Sequence, residues 1–196
     1  LDKGSETWGK NGRFGMTPLV NNRIYWYACV NAAAQDLNFK NYKIEDLRHH
    51  FSTYHAPIPQ ILALTKNENL LWNDIIDIKP LKNLAYSNIL LIGDAGHATT
   101  PNMGQGACQA LEDVAVLIDE LQQKNNIALA FKSFEKRRLS RTKYITDTSK
   151  FIGEVAQWSN PVLIALRNNI LKHLPSRLTQ RNLNRLLAVN FMEINT

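Results

Sequence analysis

Apolar positions follow a period of two near the start of the chain and a helical period from its middle onward. Residues 13–20 (RFGMTPLV) and 23–30 (RIYWYACV) are rich in β-branched and aromatic types. The Asn21-Asn22 pair between them is a turn signal, so the two runs predict a β-hairpin. Pro18 predicts an edge position or an irregularity in the first run. Ile44, Leu47 and Phe51, spaced three and four apart, predict a helix over 43–55. A Pro57-Ile58-Pro59 break follows, and then a short helix over 59–64. Residues 69–79 read as a strand ended by Pro80. Residues 88–92 read as a buried strand, apolar on both faces, of the kind a parallel sheet covers on both sides. Over 104–122 a helix is predicted whose Ala107, Ala110, Leu111, Val114, Leu117, Ile118 and Leu121 form one apolar stripe. Glu112, Asp113, Asp119 and Glu120 lie away from that stripe. Residues 127–158 form a long helical pattern, broken or kinked near Gly153, and Pro161 and Pro175 punctuate two shorter helices reaching about residue 188.

This order runs from sheet, through one strand–turn–helix crossover, to all helix. It predicts a mixed α/β (α+β) chain with boundaries at 1–84, 85–122 and 123–196. A single buried parallel strand has nothing to pair with among these residues, and the first residue is Leu1. Both features predict a piece of a longer protein. With 196 residues, 44% hydrophobic and 20% charged, the composition is that of a globular chain. No apolar run approaches the ~20 residues of a membrane span, and no signal h-region is present, so the expected location is the cytoplasm. Cys29 and Cys108 are expected to be free thiols of a reducing compartment.

Charge is unevenly placed. Residues 1–122 hold 10 Lys/Arg against 13 Asp/Glu, a net of −3, and residues 123–196 hold 13 against 4, a net of +9. Such a basic end predicts solvated helix faces and docking to an acidic surface. The alternative is a non-enzymatic, helical interaction module that binds nucleic acid or a protein partner. The histidines His49, His50 and His55 have no metal-ligand spacing to nearby Cys or carboxylates, so no metal is expected.

The stretch from Ile89 to Cys108 (ILLIGDAGHATTPNMGQGAC) carries the chemistry. An apolar run ends on Gly93-Asp94, which puts a carboxylate at the ligand edge of an α/β sheet. A carboxylate there can accept hydrogen bonds from sugar or ribityl hydroxyls, each contributing about 1.5–3 kcal/mol when charge-assisted. Pro101 stiffens the turn, and Gly104 and Gly106 let a flat ligand approach the backbone. The helix that follows begins with unpaired N–H groups and a positive dipole end, which suits an electron-rich group.

From Gly93 to Cys108 the pattern resembles the second flavin-binding signature of the FAD-dependent aromatic hydroxylases, the single-component flavoprotein monooxygenases. That signature is Gly-Asp-Ala-Ala/Gly-His, a spacer, Pro, Gly-Gln-Gly and an acidic helix, the last matched by Glu112-Asp113. Residues 8–31 resemble the family's substrate-domain hairpin, and Phe134-Glu135-Lys136-Arg137-Arg138-Leu139-Ser140-Arg141 resembles its Glu-x-x-Arg-x-x-Arg helix. Within the family the likeness is to the branch of urate-, salicylate- and zeaxanthin-type enzymes. The opening Gly-x-Gly-x-x-Gly half and the mid-chain Asp-Gly motif are missing, so the resemblance implies a C-terminal portion.

The resemblance implies an antiparallel substrate-domain sheet, the last strand and helix of a three-layer FAD/NAD(P)-binding domain, and a helical C-terminus. Asp94 would contact the ribityl or pyrophosphate region of FAD, with Pro101, Gly104, Gln105, Gly106, Ala107 and Cys108 lining the flavin ring. Arg13 and Tyr25 would face the substrate. His97 would stabilise the turn rather than act in catalysis. The implied reaction takes electrons from NAD(P)H and, through a flavin C4a-hydroperoxide formed with O2, hydroxylates or epoxidises an aromatic or other electron-rich small molecule. The implied partners are that substrate, O2 and the missing N-terminal half. Apolar surface left open would be closed by that half or in a homodimer. The 196 residues alone are expected to bind FAD weakly or not at all and to be inactive.

Overall fold

Three strands open the chain: β1 (Ser5–Gly9), β2 (Gly12–Leu19) and β3 (Arg23–Cys29), antiparallel and in the order β1-β2-β3. Asn21 and Asn22 at the β2–β3 turn take positive φ values of 59° and 54°, a conformation that Asn tolerates better than other residues with a side chain beyond Cα. The hairpin expected over 13–30 is therefore present. Pro18 lies not on an edge strand but on the central one. It faces Ile24 of β3 and falls beyond Met16, the last residue that β1 pairs, so no β1 residue stands opposite its missing N–H. In this computed structural model residues 3–187 are described.

One face of the sheet is apolar. Phe14, Met16 and Trp26 pack on α2 (Ile44–His50) and α3 (Ile58–Leu64) through Ile44, Leu47, Phe51, Ile58, Ile61 and Leu62. Phe14 stacks on Trp26 with ring centroids 5.3 Å apart and meets Phe51 edge-on at 5.7 Å. A short helix, α1 (Leu37–Lys40), precedes them, capped by the Asp36 carboxylate, which accepts from the Asn38 N–H at 2.9 Å. These elements belong to a unit formed by Leu1–Asp74 and Val155–Asn168.

A second unit comprises Ile75–Glu154 and Asn169–Thr196. It contains a two-stranded antiparallel hairpin, β4 (Ala85–Tyr86) and β5 (Ile89–Leu90), a helical turn α4 (Asp94–His97) and a 3-10 turn at Pro101–Met103. The helices α5 (Gly106–Gln123) and α6 (Ile127–Ala156) follow. The last helices are α7 (Pro161–Lys172) and α8 (Ser176–Leu187). A small core of Leu84, Val116 and Phe134 lies among these elements. Residues 188–196 of the expected 123–196 region, and residues 1–2 of 1–84, lie outside the described residues.

Several expectations are corrected. Residues 69–79 form no strand. A strand exists only where a ladder partner accepts it, and here Leu71, Ile75 and Ile76 are exposed while the Ile78 N–H donates to the Ala98 carbonyl at 3.1 Å. The strand read at 88–92 is the two-residue β5, antiparallel rather than parallel, with Ile89 and Ile92 exposed. Helix α6 is unbroken at Gly153, where the Asn102 side chain comes so close that a Cβ would stand 2.3 Å from its Nδ2. That glycine serves a close approach. On α5 the two faces are exchanged. The apolar Leu111, Val114, Ile118 and Leu121 are exposed, and Gln109, Asp113, Val116 and Glu120, a period-3.6 stripe, are buried. The reason lies on α6, whose arginines need those acids.

Candidate functional site

The turn from Gly93 to Cys108 is built on a buried polar cluster. Gly93 adopts φ 56° and ψ −141°, open only to a residue without a side chain beyond Cα. Its N–H donates to Asp113 Oδ2 at 2.8 Å. His97 Nε2 meets the same oxygen at 2.6 Å, and both side chains are buried. Asp113 Oδ1 accepts from Arg138 Nε at 2.7 Å, and Arg138 also donates to Glu112 Oε2 at 2.6 Å and to the Gln109 carbonyl at 3.1 Å. Arg141 completes the group with two bonds to Glu112, at 2.5 and 2.6 Å. Two turns further along α5, Asp119 and Glu120 pair with Arg137. Three arginines of the basic C-terminal region, Arg137, Arg138 and Arg141, thus pair with the acids of α5.

Burial alone would push the Asp113 carboxyl up. The bonds from His97, the Gly93 amide and Arg138 outweigh it and hold the group below the usual carboxylate range. Glu112 is held low in the same way by Arg141 and Arg138, against burial. A buried group of this kind stays ionised and fixes the backbone it bonds.

That backbone carries the expected cofactor residues. Asp94 is the first residue of α4, one position past Gly93, rather than the end of a buried strand. Its carboxylate is exposed and makes no hydrogen bond or ion pair with any described residue. Pro101 opens the 3-10 turn, and Gly104 ends it with φ 64° in open space. Gln105 is buried and precedes α5 without a side-chain cap. Among the described residues nothing accepts from the N–H groups of Gly106, Ala107 and Cys108, and Ala107 and Cys108 are exposed. Open amides and a positive helix end favour an electron-rich group, and a nearby exposed carboxylate favours hydroxyls. The residues present fit a flavin with its polyol tail. The turn is braced on its far side, where Asn102 donates to Ser149 O and Thr100 Oγ1, each at 2.8 Å.

Arg13 and Tyr25 lie in the other unit, on the face of the β-sheet opposite its apolar core. Register puts Glu6, Gly15 and Tyr27 in one row of that face, and Trp8, Arg13 and Cys29 in another. Arg13 is buried and paired with Glu6, Nη1 to Oε1 3.3 Å, so it is not an open surface cation. Tyr25 is exposed. The sheet does not bring the two together. Arg13 stands opposite Cys29 and Tyr25 opposite Thr17, four residues apart along β2, or roughly 13 Å at the rise of a strand. Between them lies Tyr27, its ring 6.2 Å from that of Tyr25. Burial, with Glu6 adding to it, pushes the Tyr27 hydroxyl up to about 12. The sequence reading missed this residue. Its signal was Gly15, where a Cβ would come within 2.1 Å of the Tyr27 ring. Cys29 and Cys108 are free thiols, the first buried and the second exposed.

The chain is similar to known flavoenzymes. It is 34% identical over 186 residues to aurachin C monooxygenase/isomerase of Stigmatella aurantiaca, covering 93% of this chain and 48% of that protein. It is 31% identical over 135 residues to the FAD-dependent urate hydroxylase of Klebsiella pneumoniae, covering 69% of this chain and 35% of that protein. Among solved structures, Klebsiella pneumoniae HpxO complexed with FAD and uric acid superposes with a TM-score of 0.75 at 25% identity, over 90% of this chain and 46% of that one. No protein-family model matches the chain. The chain spans about half the length of the relatives it matches.

Proposed function

Because the chain belongs to the FAD-dependent aromatic hydroxylases, at about half its relatives' length, we propose that it supplies the flavin-ring turn and the substrate sheet of an FAD-dependent monooxygenase. The observation that carries this reading is the pairing of an exposed Asp94 carboxylate with open amides at Gly106, Ala107 and Cys108, on a backbone fixed by the Asp113–Arg138 bond. The bound flavin would supply the oxygen-activating chemistry, with NAD(P)H as reductant and O2 as oxidant. Asp94 would accept from hydroxyls of the cofactor's polyol chain. The amides after Gly104 would stabilise negative charge on the ring's electron-rich edge. Pro101 and Gly104 would hold the turn open for the ring.

On the β-sheet, Tyr25 and Tyr27 would bound the side of an aromatic or other electron-rich substrate. Arg13, tied to Glu6, would position the Tyr27 row rather than touch substrate. Tyr27, neutral well past physiological pH, would donate a hydrogen bond and not act as a base. The remaining half of the relatives' length would complete the cofactor site, and NADH or NADPH would serve as the electron source. The interaction-module alternative loses support, since Arg137, Arg138 and Arg141 are spent on α5.

The test is flavin content and turnover of the protein that contains this chain. The purified protein is expected to show flavin absorbance and NAD(P)H oxidation that an aromatic substrate stimulates, with O2 consumed. Colourless protein that fails to take up FAD on titration would overturn the reading.

A further inference from the structure

At the start of α5 one buried side chain keeps a donor to spare. Gln105, the residue before the helix, is 7% exposed. Its only side-chain bond among the described residues is the one its Oε1 accepts from Gln109 Nε2 at 3.4 Å. Gln105 Nε2 therefore has no acceptor there, and that atom reaches the surface of the described fold. Gln105 stands between Gly104, whose Cβ direction is open space, and the open amides of Gly106, Ala107 and Cys108.

The two ends of the Gln105 amide are not interchangeable, and a residue two contacts away decides which is which. Arg138 can only donate. Its Nη2 stands 2.9 Å from one end of the Gln109 amide, so that end is the oxygen. The other end, Nε2, donates to Glu112 Oε1 at 3.0 Å. Glu112 can only accept, since burial raises its carboxyl but Arg141 and Arg138 hold it below the usual range and ionised. A flipped Gln109 would set donor against donor and acceptor against acceptor. With Gln109 Nε2 toward Gln105, the near end of the Gln105 amide must be its oxygen and the far end its nitrogen. Gln109 and Arg138 are each 1% exposed, and Arg138 is tied as well to Asp113 and Glu112, so this orientation is fixed from inside the fold.

Resting on the flavin reading of this turn, we infer that Gln109, held by Arg138, is a positioning residue: it fixes the Gln105 amide so that Nε2 donates a hydrogen bond to the electron-rich edge of the flavin ring. A donor placed there stabilises the ring most when the ring carries most negative charge, which is after reduction. The backbone amides of Gly106, Ala107 and Cys108 act in the same sense, but only the Gln105 donor depends on a side chain and can be removed by substitution.

The test is the midpoint potential of the FAD-loaded protein that contains this chain, from a dye-equilibrated reductive titration, beside FAD affinity by fluorescence. Gln105→Met removes the donor, and Gln105→Glu replaces it with an acceptor. Each should disfavour reduced against oxidised FAD about tenfold, which lowers the potential by about 30 mV for a two-electron couple, with the larger shift for Gln105→Glu. Gln109→Met leaves Gln105 in place but frees its amide to turn, and should lower the potential in the same direction by less. Gln105 gives up one long bond, and Gln109→Met leaves Arg138 its bonds to Asp113 and Glu112, so both positions should yield folded protein by circular dichroism. A role confined to folding would weaken both oxidation states alike and leave the potential where it is. FAD-loaded variants with the parent's potential, even at lower affinity, would overturn this inference alone. A potential moved by Gln105→Met and not by Gln109→Met would overturn the role of Gln109. Parent protein that takes up no FAD would overturn the flavin reading and this inference with it.

Discussion

Arg138 donates from Nε to Asp113 Oδ1 at 2.7 Å, and both side chains are about 1% exposed. Asp113 in turn accepts from the Gly93 amide and meets His97. A residue of α6 thereby fixes the backbone one position before Asp94. Removing one partner of a buried ion pair leaves the other charge uncompensated, at a cost of about 3–5 kcal/mol. Asp113→Asn keeps the shape and removes the charge, so it is expected to lower unfolding stability by about 3 kcal/mol in urea titration. A loss below the error of the titration would show that the cluster is not a stabilising one.

The same cluster sets an acid limit. Asp113 and Glu112 have folded-state acidities held below the unfolded carboxylate value. Their contribution is therefore complete above that value, about pH 4. It fades as pH falls through the lower, folded one. Stability measured against pH should fall on the acid side, and the Asp113→Asn variant should fall less steeply. Parallel curves for the two proteins would contradict the assignment.

The Asp94 carboxylate makes no hydrogen bond or ion pair with any described residue, so Asp94→Ala should leave stability within about 0.5 kcal/mol. In the protein that contains this chain, the same change should weaken FAD about tenfold or more by fluorescence titration, the loss of one charge-assisted bond. Unaltered FAD affinity would remove Asp94 from the cofactor site.

Gly153→Ala separates helix propensity from packing. Inside a free helix the change gains about 1 kcal/mol. Here the new Cβ would stand 2.3 Å from Asn102 Nδ2, which is held to Ser149 O. Displacing it should cost more than the helix gains, by about 1–2 kcal/mol net. A rise in melting temperature would refute the contact.

For Gly15→Ala the readout is spectroscopic. The Tyr27 ring covers Gly15, and burial holds that hydroxyl near 12. A methyl group there must lift the ring toward solvent. Burial pushes the Tyr42 and Tyr54 hydroxyls up as well, so the readout is the last phase of the alkaline titration of tyrosinate absorbance, near 12 in the parent, which should move down toward the ordinary tyrosine value of about 10. A phase near 12 that the variant leaves unchanged would count against the geometry.

What the sequence discloses tracks how local each cause is. The β2–β3 hairpin was legible because Asn21-Asn22 and the flanking alternation act within a few residues. The turn from Gly93 to Cys108 was legible for the same reason. Strands at 69–79 and 88–92 were not, since an extended run becomes a strand only when another chain segment accepts its amides. The case of α5 is more instructive. Periodicity identifies which residues share a stripe but not which stripe turns inward. That choice was made by Arg137, Arg138 and Arg141 on another helix. The complementary pattern was present in the sequence, with Glu112-Asp113 and Asp119-Glu120 seven residues apart, and was read as surface. The short α1 carried too few residues to signal.

The arrangement of α6 has a mechanical corollary. Its 30 residues run without interruption from Ile127 to Ala156, and it holds the Gly93–Cys108 turn in two ways, indirectly through the Arg138–Asp113 bond near its middle and directly through Ser149 toward its end. A ligand that tightens the turn must therefore damp the fraying of the whole rod, and slower amide deuteration would spread along α6 far from any atom the ligand touches.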